Sequence, residues 1–468
     1  MNPTLIKVIE FFLSLGLLVM IHEFGHYCFS RLFGVWVEKF YLFFNPWLTI
    51  AKWKPGKYLK WLSHGNEMAV AGENDPNENK KSWRATEYGL GWLPLGGYCA
   101  IAGMVDETTT ADQLGSTPHP WEYRAQPTWK RLPIITGGVL VNFLGALIIY
   151  SAVFHHWGQD YMPLESATYG MQFSDAMLSE GFVQGDRIVK IGDRVPDSRA
   201  DLVNWMVVDG EHDVQVLRGK DTINLTLSEG FERKILADQG TAFCDFRFPF
   251  VVQDLIPDGP AGKALMMAGD SVIGIGGKSM YIYQDIIAEL PQYALDSVDV
   301  TFVRAGETMT ARVFLGDEAK LGVYMKAPTE FLAVKHIDYG FWESIPAGIR
   351  YGWETLGNYV KQFRLVFTKE GAQSLGGFAT IGSLFSPIWD WHSFWLMTAF
   401  LSIILAFMNI IPIPGLDGGH MLFVLWEMIT GKKPGDKFLE IANNIGFYLL
   451  LALLIYANGN DILKIFFN

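Results

Sequence analysis

Charge is scarce in this sequence: Asp, Glu, Lys and Arg make up 18% of its 468 residues, against about 25% in a soluble globular chain. Half of the residues are hydrophobic, so the balance excludes an ordinary soluble protein and indicates a membrane protein. Basic residues are also few. There are 37 against 49 acidic ones, a formal net charge of −12. With no surplus of Lys and Arg to neutralise phosphates, a nucleic-acid partner is excluded. Cysteine is nearly absent. Cys28, Cys99 and Cys244 are odd in number and far apart, which rules out a disulfide framework, and none has metal-ligand spacing to another.

Long apolar runs are abundant. Four are candidate membrane spans: Leu5–Phe33, Leu132–Phe154, Phe394–Ile413, and the shorter Ile445–Ala457, which needs Asn458 and its successors to cross. The first has only Lys7 as a positive flank and lacks a small-residue cleavage site, so it reads as a retained helix and not a signal peptide. Between spans one and two lie the basic residues Arg31, Lys39, Lys52, Lys54, Lys57, Lys60, Lys80, Lys81, Arg84, Lys130 and Arg131, and Lys432, Lys433 and Lys437 lie between spans three and four. Both loops are therefore expected in the cytoplasm. From His155 to Glu343 the balance reverses, with 29 acidic against 16 basic residues, and this region is expected on the opposite side.

That outer region carries an internal repeat. Leu178–Asp197 and Gly262–Met280 each run helical turn, Gly-Asp, alternating apolar strand, glycine turn, and each is followed by a helix pattern and paired strands. Two small α+β domains of about 80 residues each are expected. Beyond them, 339–367 places aromatic and polar residues at helical spacing and reads as an amphipathic helix in the outer membrane interface.

The chemistry concentrates in His22-Glu23-Phe24-Gly25-His26. On a helix, residues i and i+4 share a face, so both imidazoles can reach one metal, and Glu23 stands beside them to take a proton from water as general base and return it as acid. Three ionisable residues within a span are costly and call for a partner such as a metal. A catalytic zinc takes three protein ligands and keeps a fourth position open. The candidate third ligand is Asp417, in Asn409-Ile-Ile-Pro-Ile-Pro-Gly-Leu-Asp417-Gly-Gly-His420. Spans one and three run parallel, since one span separates them, and both motifs sit near C-terminal ends, hence at one membrane face. His420 is a rival ligand, assigned instead to support or a turn. His64 and His119 lie in the cytoplasmic loop, and His155 and His156 on the other side.

HEFGH in the first span, Gly137-Gly138-Val-Leu-Val-Asn142 in the second, and NIIPIPGLDGGH after the third together resemble the site-2 protease family of intramembrane zinc metalloproteases, over nearly the whole chain. The resemblance implies zinc held by His22, His26 and Asp417, with Glu23 as acid/base, and Asn142 and Asn409 holding substrate or the tetrahedral intermediate. It implies that the two repeats are PDZ domains and that Gly91–Gly103 is a membrane-associated β-hairpin whose open edge pairs with an unwound substrate. Three departures stand out. Gly138 replaces the family's usual proline, Phe43-Phe44-Asn45-Pro46 replaces a Gly-Phe-Gly element, and the loop Lys52–Glu87 is longer and more polar than the family's.

The expected architecture is a polytopic α-helical membrane protein of about four transmembrane helices, with two extracytoplasmic α+β PDZ-like domains and a cytoplasmic-side membrane-associated β-hairpin. Its parts are 1–33 (first span, HExxH), 34–131 (cytoplasmic loop with the hairpin), 132–154 (second span), 160–250 and 251–330 (the PDZ-like pair), 339–367 (interfacial helix), 394–417 (third span with LDG) and 445–462 (fourth span). By resemblance the chain is a monomeric zinc protease of the bacterial inner membrane. Its partners are lipid and single-pass membrane proteins such as pre-trimmed anti-sigma factors or remnant signal peptides, and not nucleic acid. Two other readings fit less well. A metal transporter would place ligands at several depths and has no need of Glu23, and a catalytically dead scaffold would not need an intact HExxH and aspartate.

Overall fold

The computed structural model describes residues 3–64, 80, 82–94, 96–104, 117–237, 243–256, 259–363, 366, 368 and 376–467. It falls into two units, one made of 1–158, 338–367 and 375–468, the other of 159–337 and 368–374.

In the first unit, four helices are long and apolar enough to cross a membrane: α1 (Pro3–Leu32), α2 (Thr128–Trp157), α5 (Trp391–Ile410) and α7 (Asp436–Phe467). Their ends follow local chemistry. α2 starts after Pro127 and stops at Gly158, which takes the left-handed φ of 67° at the cap. Asp390 caps α5 by accepting from the backbone of His392 and Ser393 at 3.2 and 3.0 Å. α5 ends at Ile410, earlier than the sequence reading, which ran the third span to 417. Pro412 and Pro414 supply no backbone donor, so the apolar run outlasts the helix. Asp417 opens a separate helix, α6 (Asp417–Thr430).

Small residues let α1 and α2 meet backbone to backbone. A Cβ on Gly25 would fall 2.2 Å from the Gly137 carbonyl oxygen. Hydroxyls bind α5 to the pair: Thr398 donates to Ser14 Oγ at 3.0 Å, and Ser402 to the Asn142 carbonyl at 2.8 Å. The amphipathic segment forms α3 (Phe341–Phe363). It packs Ser344, Ala347, Gly348 and Gly352 inward, with ring contacts from Tyr351 to Tyr150, Trp353 to Phe143 and Tyr359 to Phe407. It thus lies alongside the spans and not flat across one end. α7 is held lightly, with 6% of its apolar window buried. At one point Gly446 presses on Pro414, where a Cβ would overlap the carbonyl oxygen. At another, Asp461 caps α4 (Phe378–Ser383), accepting from the Gly377 and Thr380 amides at 3.0 Å each.

Between α1 and α2 lies a five-stranded sheet in the order β3-β2-β4-β1-β5: β1 (Val37–Leu42), β2 (Phe44–Lys54), β3 (Tyr58–His64), β4 (Glu87–Leu93) and β5 (Tyr98–Ile101). This corrects the hairpin expected over Gly91–Gly103. Its two strands do not pair, because β1 lies between them, parallel to β4 and antiparallel to β5. The glycines make the crossing possible: a Cβ on Gly97 would lie 2.7 Å from Tyr41 O, and one on Gly96 2.5 Å from the Phe44 ring. The true hairpin is β2–β3, turning at Gly56 with φ +77°. Part of the loop expected over Lys52–Glu87 is therefore strand. Its positions 65–79 and 81, and Leu95, lie outside the described residues.

The second unit repeats one design twice. Arg187–Ile191, Asp213–Arg218 and Asp221–Thr226 form one antiparallel sheet, and Ser271–Ile275, Ser297–Arg304 and Glu307–Phe314 form its counterpart, extended by a short fourth strand at Lys278–Ser279. Each covers its own apolar core, around Met177, Leu202 and Val216 in one and Val272, Ile286 and Val300 in the other. The same ion pair recurs. Asp186 accepts from Arg218 Nε at 2.8 Å and Nη2 at 2.7 Å, and Asp270 accepts from Arg304 at 2.7 Å twice.

Candidate metal centre

His22 and His26 face α2 from one side of α1. Their Nε2 atoms lie 3.2 Å apart, and Asp417 Oδ2 lies 3.1 Å from the first and 3.3 Å from the second. Among the described residues no other group of three or more His, Cys, Asp or Glu side chains brings its ligand atoms within 4.8 Å of one another. Three ligands about 2.0–2.1 Å from a tetrahedral zinc stand about 3.3–3.4 Å apart, so this triangle has the size that zinc requires.

The hydrogen bonds around the triangle fix its chemistry. His26 Nδ1 lies 2.9 Å from the Ile134 carbonyl oxygen. A carbonyl only accepts, so Nδ1 carries the proton, and in the neutral ring Nε2 turns a bare lone pair towards Asp417. Asp417 Oδ2 is itself buried without a hydrogen-bond partner. Lone pairs facing one another at this range leave buried acceptors unsatisfied. A divalent cation among them satisfies all three, and the donor set fits zinc.

Three features hold the triangle. The first is α2, where Ile134, Gly138 and Asn142 follow at intervals of four along one face. Ile134 meets His26, Asn142 Nδ2 lies 3.2 Å from His22 Nδ1, and Gly138 is the floor between, where a Cβ would come within 2.6 Å of His22 Cε1 and His26 Nε2. The second is the turn into α6. Gly415 has φ +87°, and Gly418 lies so close beneath Ile411 that a Cβ would fall 2.1 Å from its carbonyl oxygen. The third is an ion pair that sequence reasoning missed: Arg131, at the start of α2, donates to Glu427 on α6. Arg131 is 3% exposed, and the pair ties the helix that begins with Asp417 to the helix under the histidines. Arg131 reads as one more loop cation, and only the fold reveals its partner.

Glu23 stands next to His22, and its carboxylate takes a backbone hydrogen bond from Cys99 on the edge strand β5. Asn409 lies in the last turn of α5, half-buried. His420 is one turn beyond Asp417 on α6 and outside the cluster. His119 stacks on Trp121, and His155 and His156 lie at the far end of α2.

Comparison with known proteins agrees with this chemistry. The model of peptidase family M50 matches residues 10–64 and 76–453. A protein of Ralstonia nicotianae that bears a zinc metalloprotease name is 24% identical over 494 residues, covering 99% of each chain. One of Neisseria meningitidis serogroup A, with a similar name, is 26% identical over 480 residues, covering 98% of this chain and 99% of its own. The regulator of sigma E protease of Haemophilus influenzae is 23% identical over 492 residues, covering 97% and 98%.

Proposed function

The chain belongs to peptidase family M50, the site-2 proteases, and on that premise we propose that it hydrolyses peptide bonds within the transmembrane segments of single-pass membrane proteins. It is an integral membrane protein and a zinc metalloprotease. The observation that carries the proposal is the triangle of His22 Nε2, His26 Nε2 and Asp417 Oδ2 on helices from a membrane-spanning bundle. These three residues hold the zinc. Zinc in such a site supplies Lewis-acid chemistry, polarising a carbonyl and lowering the pKa of water towards neutrality. Glu23 carries the proton from the attacking water to the leaving nitrogen.

A helical substrate hides its peptide bonds in its own hydrogen bonds, so it must unwind before it is cut. β5 suits the unwound chain. Among the described residues it pairs with β1 alone, and its Cys99 contacts Glu23. A strand added at that edge would find replacement hydrogen bonds beside the base. Asn409, near the end of α5, would bind the substrate backbone. The repeats act as PDZ-like domains on the outer face of a bacterial inner membrane, with the metal centre near the cytoplasmic face. They admit substrates already trimmed by another protease. The sigma E regulator name of one relative makes trimmed anti-sigma factors the first class to examine, with remnant signal peptides second, for an enzyme acting as a monomer.

The test is Glu23→Gln, which keeps the shape and removes the base. Cleavage of membrane proteins is expected to fall below detection while zinc is retained. Proteomic comparison of membrane fragments with and without the substitution identifies the substrates. Loss of zinc from the variant would make Glu23 a ligand and overturn the assignment of roles, and an unchanged fragment profile would sink the protease reading.

A further inference from the structure

The structure assigns Asn142 a task apart from substrate binding: we propose that its side-chain oxygen accepts the Nδ1 proton of His22 and so fixes the tautomer and orientation of that imidazole. The proposal rests on the reading of His22, His26 and Asp417 as the zinc site.

The two ends of this amide are unequally partnered. Asn142 Nδ2 lies 3.2 Å from His22 Nδ1, while Asn142 Oδ1 is buried without a partner. The Nε2 atom of His22 is the one turned to Asp417, at 3.1 Å. If Nε2 gives its lone pair to the metal, Nδ1 holds the proton. An amide NH2 facing an N–H sets donor against donor. Turning the amide by 180° exchanges its nitrogen and oxygen while the side chain keeps its shape. Oδ1 then receives the Nδ1 proton, which satisfies the oxygen and the imidazole, and Nδ2 takes the buried place that Oδ1 left. Supporting partners of this kind orient metal-bound histidines and raise their basicity.

The surroundings favour a fixed role. Asn142 is 0% exposed, so its amide is not open to a peptide. Its backbone carbonyl accepts from Ser402 on α5 at 2.8 Å, which holds this turn of α2 in place. One face of α2 thus serves both ligands, the Ile134 carbonyl for His26 and the Asn142 side chain for His22, with bare Gly138 between them.

Full-length enzyme, N142L, N142D and H22A are compared for zinc affinity by chelator competition, for the visible spectrum of the cobalt-loaded form, and for KM. N142L removes the acceptor at similar volume, and its zinc affinity is expected to fall about 10–100-fold, with a shifted cobalt spectrum and KM unchanged once zinc is saturating. N142D keeps an acceptor and is expected to hold zinc at least as tightly as the native protein, which also shows that the position tolerates substitution. N142L binding zinc normally with a raised KM, while H22A loses zinc, overturns the proposal in favour of a substrate role. N142D weakening zinc as much as N142L overturns the acceptor assignment. H22A binding zinc normally overturns the metal-centre reading itself, and this proposal with it.

Discussion

Asp270 and Asp417 are both largely buried aspartates, one in each unit, and they differ in what surrounds them. Asp270 is saturated. Arg304 grips both its oxygens at 2.7 Å, and the Met267 amide adds a bond at 2.8 Å. Asp186 repeats the arrangement with Arg218. Asp417 faces two imidazole nitrogens and leaves Oδ2 without a hydrogen bond. Among the described residues, every carboxyl oxygen that is buried without a hydrogen bond, on Glu10, Asp417 or Glu440, belongs to the membrane unit. Burial of a polar group is costly unless it is paired. The saturated Asp270 is therefore structural, whereas the starved oxygen of Asp417 faces two imidazole nitrogens where a cation would satisfy all three.

The contrast breaks most sharply at the starved site. Asp417→Ala is expected to remove zinc as completely as His22→Ala and to abolish cleavage, read by metal analysis of the purified protein. Full zinc occupancy in Asp417→Ala, with loss in His420→Ala, would transfer the ligand role one turn along α6. Next in size is Gly138→Ala. The added Cβ would press within 2.6 Å of His22 Cε1 and His26 Nε2, so zinc affinity should fall about 10–100-fold, as when other supports of metal ligands are lost. Gly145→Ala on the same helix is the control, because its nearest neighbour, Ile21 Cγ2, is 3.6 Å from the new atom. Equal losses from both substitutions would mean that helix packing, and not the imidazole floor, is being measured.

How much of this was legible beforehand follows from where each contact lies along the chain. His22 and His26 are four residues apart, and helical periodicity alone puts them on one face. Asp417 comes from almost 400 residues away, yet a short motif and the parallel course of spans one and three single it out. The end of α5 was misread because hydropathy continues through Ile411 and Ile413 while Pro412 and Pro414 stop the helix. The strand order was not legible, since the insertion of β1 between β4 and β5 is a long-range choice that no local pattern encodes. Nor was the Arg131–Glu427 pair, whose members lie 296 residues apart.

At the saturated site the expected loss is of stability and not of chemistry. Asp270→Asn takes the charged partner from Arg304 and should lower the thermal midpoint of the repeat unit, by less than a fully buried pair would, since Arg304 is partly exposed. Zinc content should not change. The pH dependence has a definite sign. Burial pushes the Asp270 carboxyl up, but the Arg304 and Met267 hydrogen bonds outweigh it and hold the group below its ordinary value. The stabilisation is therefore present above the unfolded pKa of about 3.9 and is lost as pH falls through the lower folded value. Thermal unfolding followed below about pH 4 should show native protein losing stability more steeply than Asp270→Asn. Parallel curves would mean that the pair contributes nothing.

The smallest effect on the chemistry should come from removing the repeat unit altogether, and this separates two uses for it. Gln159–Tyr161 and Lys335–Ile337 pair as antiparallel strands, with Gln159 opposite Ile337. His336 Nδ1 and Asp160 Oδ1 lie 2.6 Å apart, and Lys335 and Glu165 2.7 Å apart. The chain thus enters and leaves this unit at neighbouring positions, roughly 5 Å apart as in any strand pair, and a short linker can replace everything between. No ligand of the metal cluster lies in the deleted part. If the unit filters by size, the deletion leaves cleavage of a short, pre-trimmed substrate within about threefold, below 1 kcal/mol, while a substrate with an intact outer domain becomes cleavable. If the unit recruits, cleavage of the short substrate falls through a raised KM at unchanged kcat. The filter is favoured because the chain carries 29 acidic against 16 basic residues between His155 and Glu343, a charge that does not attract acidic segments. The deciding measurement is one substrate in long and short forms, cut by intact and deleted enzyme. Discrimination between the two lengths that survives the deletion would rule the filter out and return the selection to the membrane unit.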